Sequence, residues 1–272
     1  MNELELEGKV AIVTGAGRMR GIGRASANTL ARMGANIVIT GTGKNPNTFP
    51  DDEKKADWKD IFSTSKEVES YGRLALPIVT DVTDDNAVKN LINITLETFG
   101  RIDVLVNNAA APYGADRVPV IDLDKKTFEN VINVKLYGTF LCSKYVSLQM
   151  IKQGNGGRII NLSSSAGKSG SANMAAYNAA NFAIDGFTQA LSKELASENI
   201  TVNSVCPGLT ETARLDPMGR EEKWTKRISQ IPLKRAAEDQ EIAELIGFLS
   251  SNRASYITGQ SININGGTVT ER

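Results

Sequence analysis

Two short stretches carry hydroxyls at spacings suited to proton chemistry. Ser163-Ser164-Ser165-Ala166-Gly167 ends the apolar run Arg158-Ile159-Ile160-Asn161-Leu162, which reads as a buried strand delivering the serines at its C-terminal tip. Tyr177-Asn178-Ala179-Ala180-Asn181 then opens a helix. Tyr177, Ala180, Ile184, Phe187, Leu191 and Leu195 recur every three or four residues, with Asn178, Asp185, Gln189 and Lys193 between them. Spacing of i, i+4 puts Tyr177 and Asn181 on one helix face. A phenol and a serine hydroxyl brought together can polarise a carbonyl or relay its proton. Taken alone, the same residues read as an amphipathic core tyrosine and a strand-end turn. The elements around them have to decide between the two.

Histidine is absent from the 272 residues. That excludes Ser-His-Asp hydrolysis, imidazole acid–base catalysis and histidine-ligated zinc. Proton chemistry must come from Tyr, Ser, Lys, Asp, Glu or bound water. Lys and Arg number 31 against 31 Asp and Glu, which removes the electrostatic case for nucleic acid or an anionic membrane as partner. Cys142 and Cys206 lie far apart, match no metal spacing and sit in apolar contexts, as buried free thiols do. The acidic start Met1–Glu7 lacks the basic and apolar regions of a signal peptide, and no apolar run approaches membrane-spanning length. The expectation is a soluble cytoplasmic protein with a core of one large α/β domain or two small ones.

The supporting elements alternate. Lys9–Thr14 is a short β-branched run, a buried parallel strand by pattern, and Gly15-Ala16-Gly17-Arg18-Met19-Arg20-Gly21-Ile22-Gly23 leads from it into an amphipathic helix ending near Gly34. Strand, glycine-rich turn and helix start is the context of a phosphate-binding loop: glycines admit the pyrophosphate, and helix N–H groups receive its charge. The next strand, 36–40, ends at Gly41 with no Asp or Glu at Gly41, Thr42 or Gly43, while Lys44, Arg18 and Arg20 are near in sequence. A missing acid with nearby bases favours a ribose 2′-phosphate, hence NADP(H) over NAD(H). Alternatively the three bases are solvated loop residues. Residues 43–57 are polar and proline-containing, an inserted surface loop, with a helix over 57–71 after it. Strand 75–80 ends in Asp81-Val82, candidates for the adenine amino group and ring face. A helix over 84–99 precedes strand 102–106 and Asn107-Asn108-Ala109-Ala110.

The order Thr14-Gly15…Gly21-Ile22-Gly23, Asn107-Asn108-Ala109-Ala110, Asn133, Ser164, Tyr177 and Pro207-Gly208 resembles the short-chain dehydrogenase/reductase family, from residue 8 to about 268. The resemblance implies α/β architecture over 1–272: one Rossmann-type doubly wound parallel sheet of about seven strands, with helices on both faces. It implies a nicotinamide cofactor, a small carbonyl or alcohol substrate, and a homotetramer or homodimer built through helices 123–152 and 176–198. By position, Asn133 resembles the family's catalytic asparagine, Ser164 its substrate-orienting serine and Tyr177 its general acid/base. Pro207, Gly208 and Thr212 match the segment that grips the nicotinamide carboxamide. Asn107, Ala109 and the glycine loop (Gly15, Gly17, Gly21, Ile22, Gly23) match cofactor contacts. Residues 209–231 resemble the substrate lid.

Two departures matter. The loop has five residues between Gly15 and Gly21, where the family pattern has three. The family's Tyr-x-x-x-Lys also reads Tyr177-x-x-x-Asn181. In the family that lysine holds the nicotinamide ribose and favours the phenolate by its charge; asparagine hydrogen-bonds a hydroxyl but carries no charge. A cation about 4 Å away at an effective dielectric near 20 is worth on the order of 4 kcal/mol. Alcohol oxidation, which draws on the phenolate, should suffer more from its loss than carbonyl reduction. Three explanations stand open: an engineered change, a cation supplied from elsewhere (Lys135 or Lys168), or a nucleotide-binding protein without redox turnover. The expected activity is interconversion of a carbonyl and a secondary alcohol, weakened by Asn181. Non-catalytic nucleotide sensing on the same fold is the alternative, and a lyase or isomerase using the tyrosine a further one.

Overall fold

The computed structural model describes residues 4–271. Its strands are β1 (Val10–Val13), β2 (Asn36–Gly41), β3 (Ala75–Val79), β4 (Val104–Asn107), β5 (Gly157–Leu162), β6 (Ile200–Pro207), β7 (Thr210–Glu211), β8 (Ala237–Glu238) and β9 (Ser261–Ile264). Seven of them form one parallel sheet in the order β3-β2-β1-β4-β5-β6-β9, and β7 pairs with β8 apart from it. Short apolar runs become buried parallel strands because both sheet faces are covered. Side-chain alternation shows it: Ala11, Val13, Ile37 and Ile39 enter one core, Val10, Ile12 and Val38 the other.

The helices are α1 (Ile22–Arg32), α2 (Asp51–Lys55), α3 (Ile61–Ser70), α4 (Asp85–Phe99), α5 (Lys125–Ile132), α6 (Gly138–Gln153), α7 (Ala175–Leu195), α8 (Glu222–Gln230) and α9 (Asp239–Ser250). Leu30 of α1 and Ile246 of α9 pack with the first core, Leu91 of α4 and Val146 of α6 with the second. The doubly wound architecture and its seven strands are as expected. Strand order reverses between β1 and β4, the switch point where such sheets open a crevice at their C-terminal ends.

Two segments differ from the sequence expectation. Residues 123–152 are not one α-helix: a π-turn, Asn133–Tyr137, separates α5 from α6. There Gly138 lies so close to Val82 that an added Cβ would come within 2.6 Å of its side chain. Residues 43–57 are mostly exposed but not without structure: α2 interrupts the segment, Phe49 and Glu53 are buried within it, and Trp58 is buried just after it. The next helix starts at Ile61, later than expected, because Asp60 has φ 55°, which ordinary residues avoid.

Candidate active site

The glycine loop is clamped to the end of β4. Asn108 Nδ2 donates to the carbonyls of Thr14 and Gly15, both at 2.9 Å, and Thr14 Oγ1 accepts from the N–H groups of Asn108 and Ala109. Gly15 has φ 67°, and a Cβ there would lie 2.8 Å from Ala109 Cα; one on Gly23 would lie 2.5 Å from Asn108 Nδ2. Only glycine fits this close approach. No side chain caps α1 at Gly21, so the helix N-terminus keeps donors for an anion.

The inserted segment folds against that loop. Buried Glu53 accepts from Arg18 Nε and from the Met19 N–H, each at 2.9 Å, and Trp58 Nε1 donates to the Gly17 carbonyl. Arg20 forks onto Asp216 and also holds Asp52 at 2.7 Å. Arg18 and Arg20, expected to meet a 2′-phosphate, therefore already have acidic partners. Lys44 remains exposed at the groove. Asp60 brings a carboxylate to the tip of β2. A Cβ on Gly17 would sit 1.5 Å from its Oδ1, one on Gly41 3.6 Å from either oxygen, and the Lys44 N–H donates to Oδ2. Burial pushes the Asp60 carboxyl above its ordinary value, with the Lys44 hydrogen bond and charge opposing. The acid missing from the end of β2 in sequence is thus present in space. Its distance along the chain hid it.

Two grooves and a pocket line this edge. A groove of about 530 Å³ runs from Gly15, Gly17 and Gly41 past Asp60 to Asp81 and Val82. Asp81 Oδ1 is engaged by Thr83, accepting from its N–H and hydroxyl, and Val82 is buried. A second groove of about 470 Å³ passes Arg20, Gly21 and Gly23 toward Arg214 and Pro217. Ile22, Asn108, Thr212 and Arg214 are shared between it and an inner pocket of about 130 Å³.

The inner pocket brings Ser164 and Tyr177 together, with Lys135, Pro207, Gly208 and Thr212 around them. Ser164 Oγ accepts from the Ala166 N–H, which fixes the serine at the tip of β5. The Tyr177 ring lies under two guanidinium groups, Arg117 at 4.1 Å and Arg214 at 5.1 Å from its centroid. Arg117 is near buried Asp116, at 3.6 Å, and burial pushes its pKa down. Asn181 is fully buried behind the tyrosine. Its Nδ2 donates to the Tyr177 carbonyl and its Oδ1 has no partner among the described residues.

Besides the buried Asn181, which lines none of these openings, two expected site residues fall outside the inner pocket. Asn133 lines the larger groove beside Asn130 and Val134, outside the inner pocket. The Asn107 side chain turns into the core, donating to Ser143 Oγ and Asn161 Oδ1, and its neighbour Asn108 faces the grooves. In the Asn107-Asn108 pair, strand alternation was the available signal: a residue ending β4 points inward if its successor points out. Both cysteines are buried free thiols, pushed up to about 12 by burial, aided at Cys206 by Asp185. No cluster able to hold a metal occurs among the described residues.

A family model described as enoyl-(acyl carrier protein) reductase matches residues 15–269. The chain belongs to the short-chain dehydrogenase/reductase family. It is 36% identical to the 3-oxoacyl-[acyl-carrier-protein] reductase of Thermotoga maritima over 266 residues, covering 98% of this chain and all of that one. It is 38% identical to the protein of the same name from Synechocystis, covering 97% of this chain and 98% of that one. Among solved structures it superposes on acetoin dehydrogenase from Enterobacter cloacae with TM-score 0.78 at 35% identity, covering 96% and 95% of the two chains. A short-chain type dehydrogenase/reductase from Mycobacterium marinum gives TM-score 0.86 at 28% identity, covering 99% of each.

This short-chain dehydrogenase/reductase is accordingly an NAD(P)-dependent oxidoreductase acting on CH–OH groups. The residues present fit a dinucleotide: the loop admits no Cβ at Gly15 or Gly23, and the α1 N-terminus is uncapped. Among the described residues, no helix is long and apolar enough to cross a membrane.

Proposed function

We propose that the protein interconverts a ketone and a secondary alcohol on a medium-sized organic substrate, using NAD(H) in preference to NADP(H). The observation that carries the reaction is Ser164 and Tyr177 in one small pocket, continuous with the glycine-loop groove. When bound, the nicotinamide supplies or accepts the hydride. Ser164 Oγ donates a hydrogen bond to the substrate oxygen, and the Tyr177 hydroxyl gives that oxygen its proton in reduction or removes it in oxidation. Pro207, Gly208 and Thr212 close the pocket on the cofactor side, and Arg214 and Arg117 hold the tyrosine ring.

The cofactor reading departs from the sequence expectation for two reasons. Arg18 and Arg20 are ion-paired to Glu53, Asp52 and Asp216. The Asp60 carboxylate at the β2 tip suits the two hydroxyls of an adenosine ribose and repels a 2′-phosphate. Its positive φ supports a functional role, since such a residue stores about 1–3 kcal/mol of strain. Exposed Phe140, Leu148 and Ile151 on α6 and Phe182 on α7 favour a homotetramer or homodimer assembled through those helices.

The test is a fluorescence titration with NADH and NADPH in parallel, then turnover on a carbonyl panel that includes a 3-oxoacyl thioester and an acetoin-type ketone. Tighter NADH binding with ketone reduction is expected. Nucleotide binding with no turnover on any carbonyl would favour the sensing protein instead. Absence of binding to either nucleotide would remove the basis of the whole assignment.

A further inference from the structure

The family pattern puts an ammonium group four residues after the tyrosine, where this chain has Asn181. The inner pocket nevertheless holds an amine. Lys135 is 5% exposed and lines that pocket with Ser163, Ser164, Tyr177 and Gly208. It is carried by the π-turn Asn133–Tyr137, which packs against α5, α6 and α7. π-Turns widen a helix by one residue and recur at functional sites. We propose that Lys135 is the active-site cation of this enzyme and that Asn181 is its neutral counterpart, the two roles being exchanged between α7 and the π-turn. The inference rests on the oxidoreductase reading above.

Three observations carry it. Among the described residues the Lys135 amine has no hydrogen bond and no ion pair, and its nitrogen is not sealed off: it opens onto the inner pocket, where water or a bound molecule is its partner. Asn181, by contrast, does not line the pocket: its Nδ2 is spent on the Tyr177 carbonyl and its buried Oδ1 has no partner, so the position that the family gives to lysine supplies no charge there. Finally, the other candidate amine is occupied: Lys168 Nζ pairs with Glu271 at 3.0 Å and donates to the Ser261 carbonyl. The arginines nearby stack on the tyrosine ring, and Arg214 Nε donates to the Ala111 carbonyl.

The charges facing Lys135 make its titration readable. Burial first, then the positive charge of Arg214, lower its pKa to about 7, opposed by Asp185 and Cys206. Asp185 already accepts from Ser204, and the Cys206 thiol, pushed up to about 12, stays neutral. Tyr177 and Arg214 are the other titratable side chains among those lining the pocket. A dinucleotide brings negative charge, so it binds the protonated amine better, and by linkage its binding raises the amine's pKa. Affinity should therefore tighten as pH falls through neutrality.

The experiment measures the NADH dissociation constant from pH 5.5 to 9 in the wild-type protein and in Lys135→Met, with kcat for ketone reduction and alcohol oxidation in parallel. Wild type should tighten by about tenfold from pH 9 to pH 6. Lys135→Met should bind with a flat profile and lose on the order of 100-fold in oxidation, with a smaller loss in reduction. The exchange variant Lys135→Asn/Asn181→Lys should recover most of that activity. Asn181→Lys alone should not gain, because it places a second ammonium in a buried site beside an existing one. Lys135→Met with wild-type rates and the wild-type binding profile overturns the inference. A wild-type protein whose NADH binding follows pH as stated but which reduces no carbonyl overturns the oxidoreductase reading and with it the catalytic role of Lys135, leaving the amine only as a nucleotide contact. If the exchange variant does not fold, the binding profile of Lys135→Met decides.

Discussion

The reacting end of the site and its adenosine end are built from different material. The inner pocket is walled by the tips of β5 and β6, tied into the two sheet cores, and by the start of α7 and the π-turn, which meet in a small third cluster around Val131, Ala176 and Ala180. The adenosine end depends on an insert held by a few polar anchors: Glu53 on the glycine loop, Trp58 on the Gly17 carbonyl and Asp60 under Gly41. Both ends share one property. At each, a charge looked for at one chain position stands in space but comes from another: Asp60, just after the insert, at the tip of β2, and an amine from the π-turn in the pocket of Tyr177. The chemistry constrains where a charge stands in space, and the fold leaves more than one backbone position able to deliver it.

The sharpest way to break the comparison is at the reacting end. Tyr177→Phe should lower kcat by on the order of 1,000-fold or more while leaving the NADH dissociation constant within about twofold, read by stopped-flow turnover and fluorescence titration. An active Tyr177→Phe protein would detach the chemistry from the pocket altogether. At the adenosine end, Gly17→Ala should be the most damaging single change, because its Cβ would overlap the Asp60 carboxylate at 1.5 Å. The insert must then move; a loss of about 2–4 kcal/mol in chemical denaturation is expected, with NADH binding weakened. Asp60→Asn should act more gently, shifting the NADPH-to-NADH affinity ratio toward NADPH by about tenfold, or about 1.4 kcal/mol, with kcat preserved. An unchanged ratio would mean that Asp60 only shapes the loop.

The difference between the two ends also explains what the sequence made legible. The seven strands follow from apolar runs bounded by glycine and polar turns, where local pattern suffices; the pairing of Ser164 with Tyr177 needed the order of motifs along the whole chain, since strand tip and helix face alone left a core tyrosine equally open. Asn133 was given the catalytic asparagine's role by position, and position alone does not reveal the π-turn that it opens, which changes the phase of the residues after it. Lys135 lines the pocket that holds Tyr177, and Asn133 lines the larger groove. Arg18 and Arg20 looked free for a phosphate because their acidic partners lie in a segment of unremarkable polar composition. A buried Glu53 among Asp51, Asp52, Lys54 and Lys55 has no sequence signature; only tertiary contact distinguishes it.

Arg20 spans the two ends and gives the smallest effect. It binds Asp52 of the insert at 2.7 Å and Asp216 of the lid at 2.6 Å, so it couples the adenosine end to the substrate cover. Its side chain is 37% exposed, and such partly screened pairs are worth about 1 kcal/mol or less. Burial disfavours ionised Asp52, but the hydrogen bond and charge of Arg20 outweigh it and hold its carboxyl below the ordinary value. That stabilisation is present above the unfolded carboxyl's pKa and is lost as pH falls through the lower folded value. Arg20→Gln should therefore lower the melting temperature slightly at pH 7, and the gap to wild type should close on acidification below the ordinary carboxylate range or in high salt. Kinetics separate the coupling from a local effect. If Arg20 links the two ends, the substrate KM and the NADH dissociation constant should rise together by about two- to fivefold, within the same 1 kcal/mol. A rise in the dissociation constant alone would confine Arg20 to the glycine loop and leave the lid without its tether to the insert.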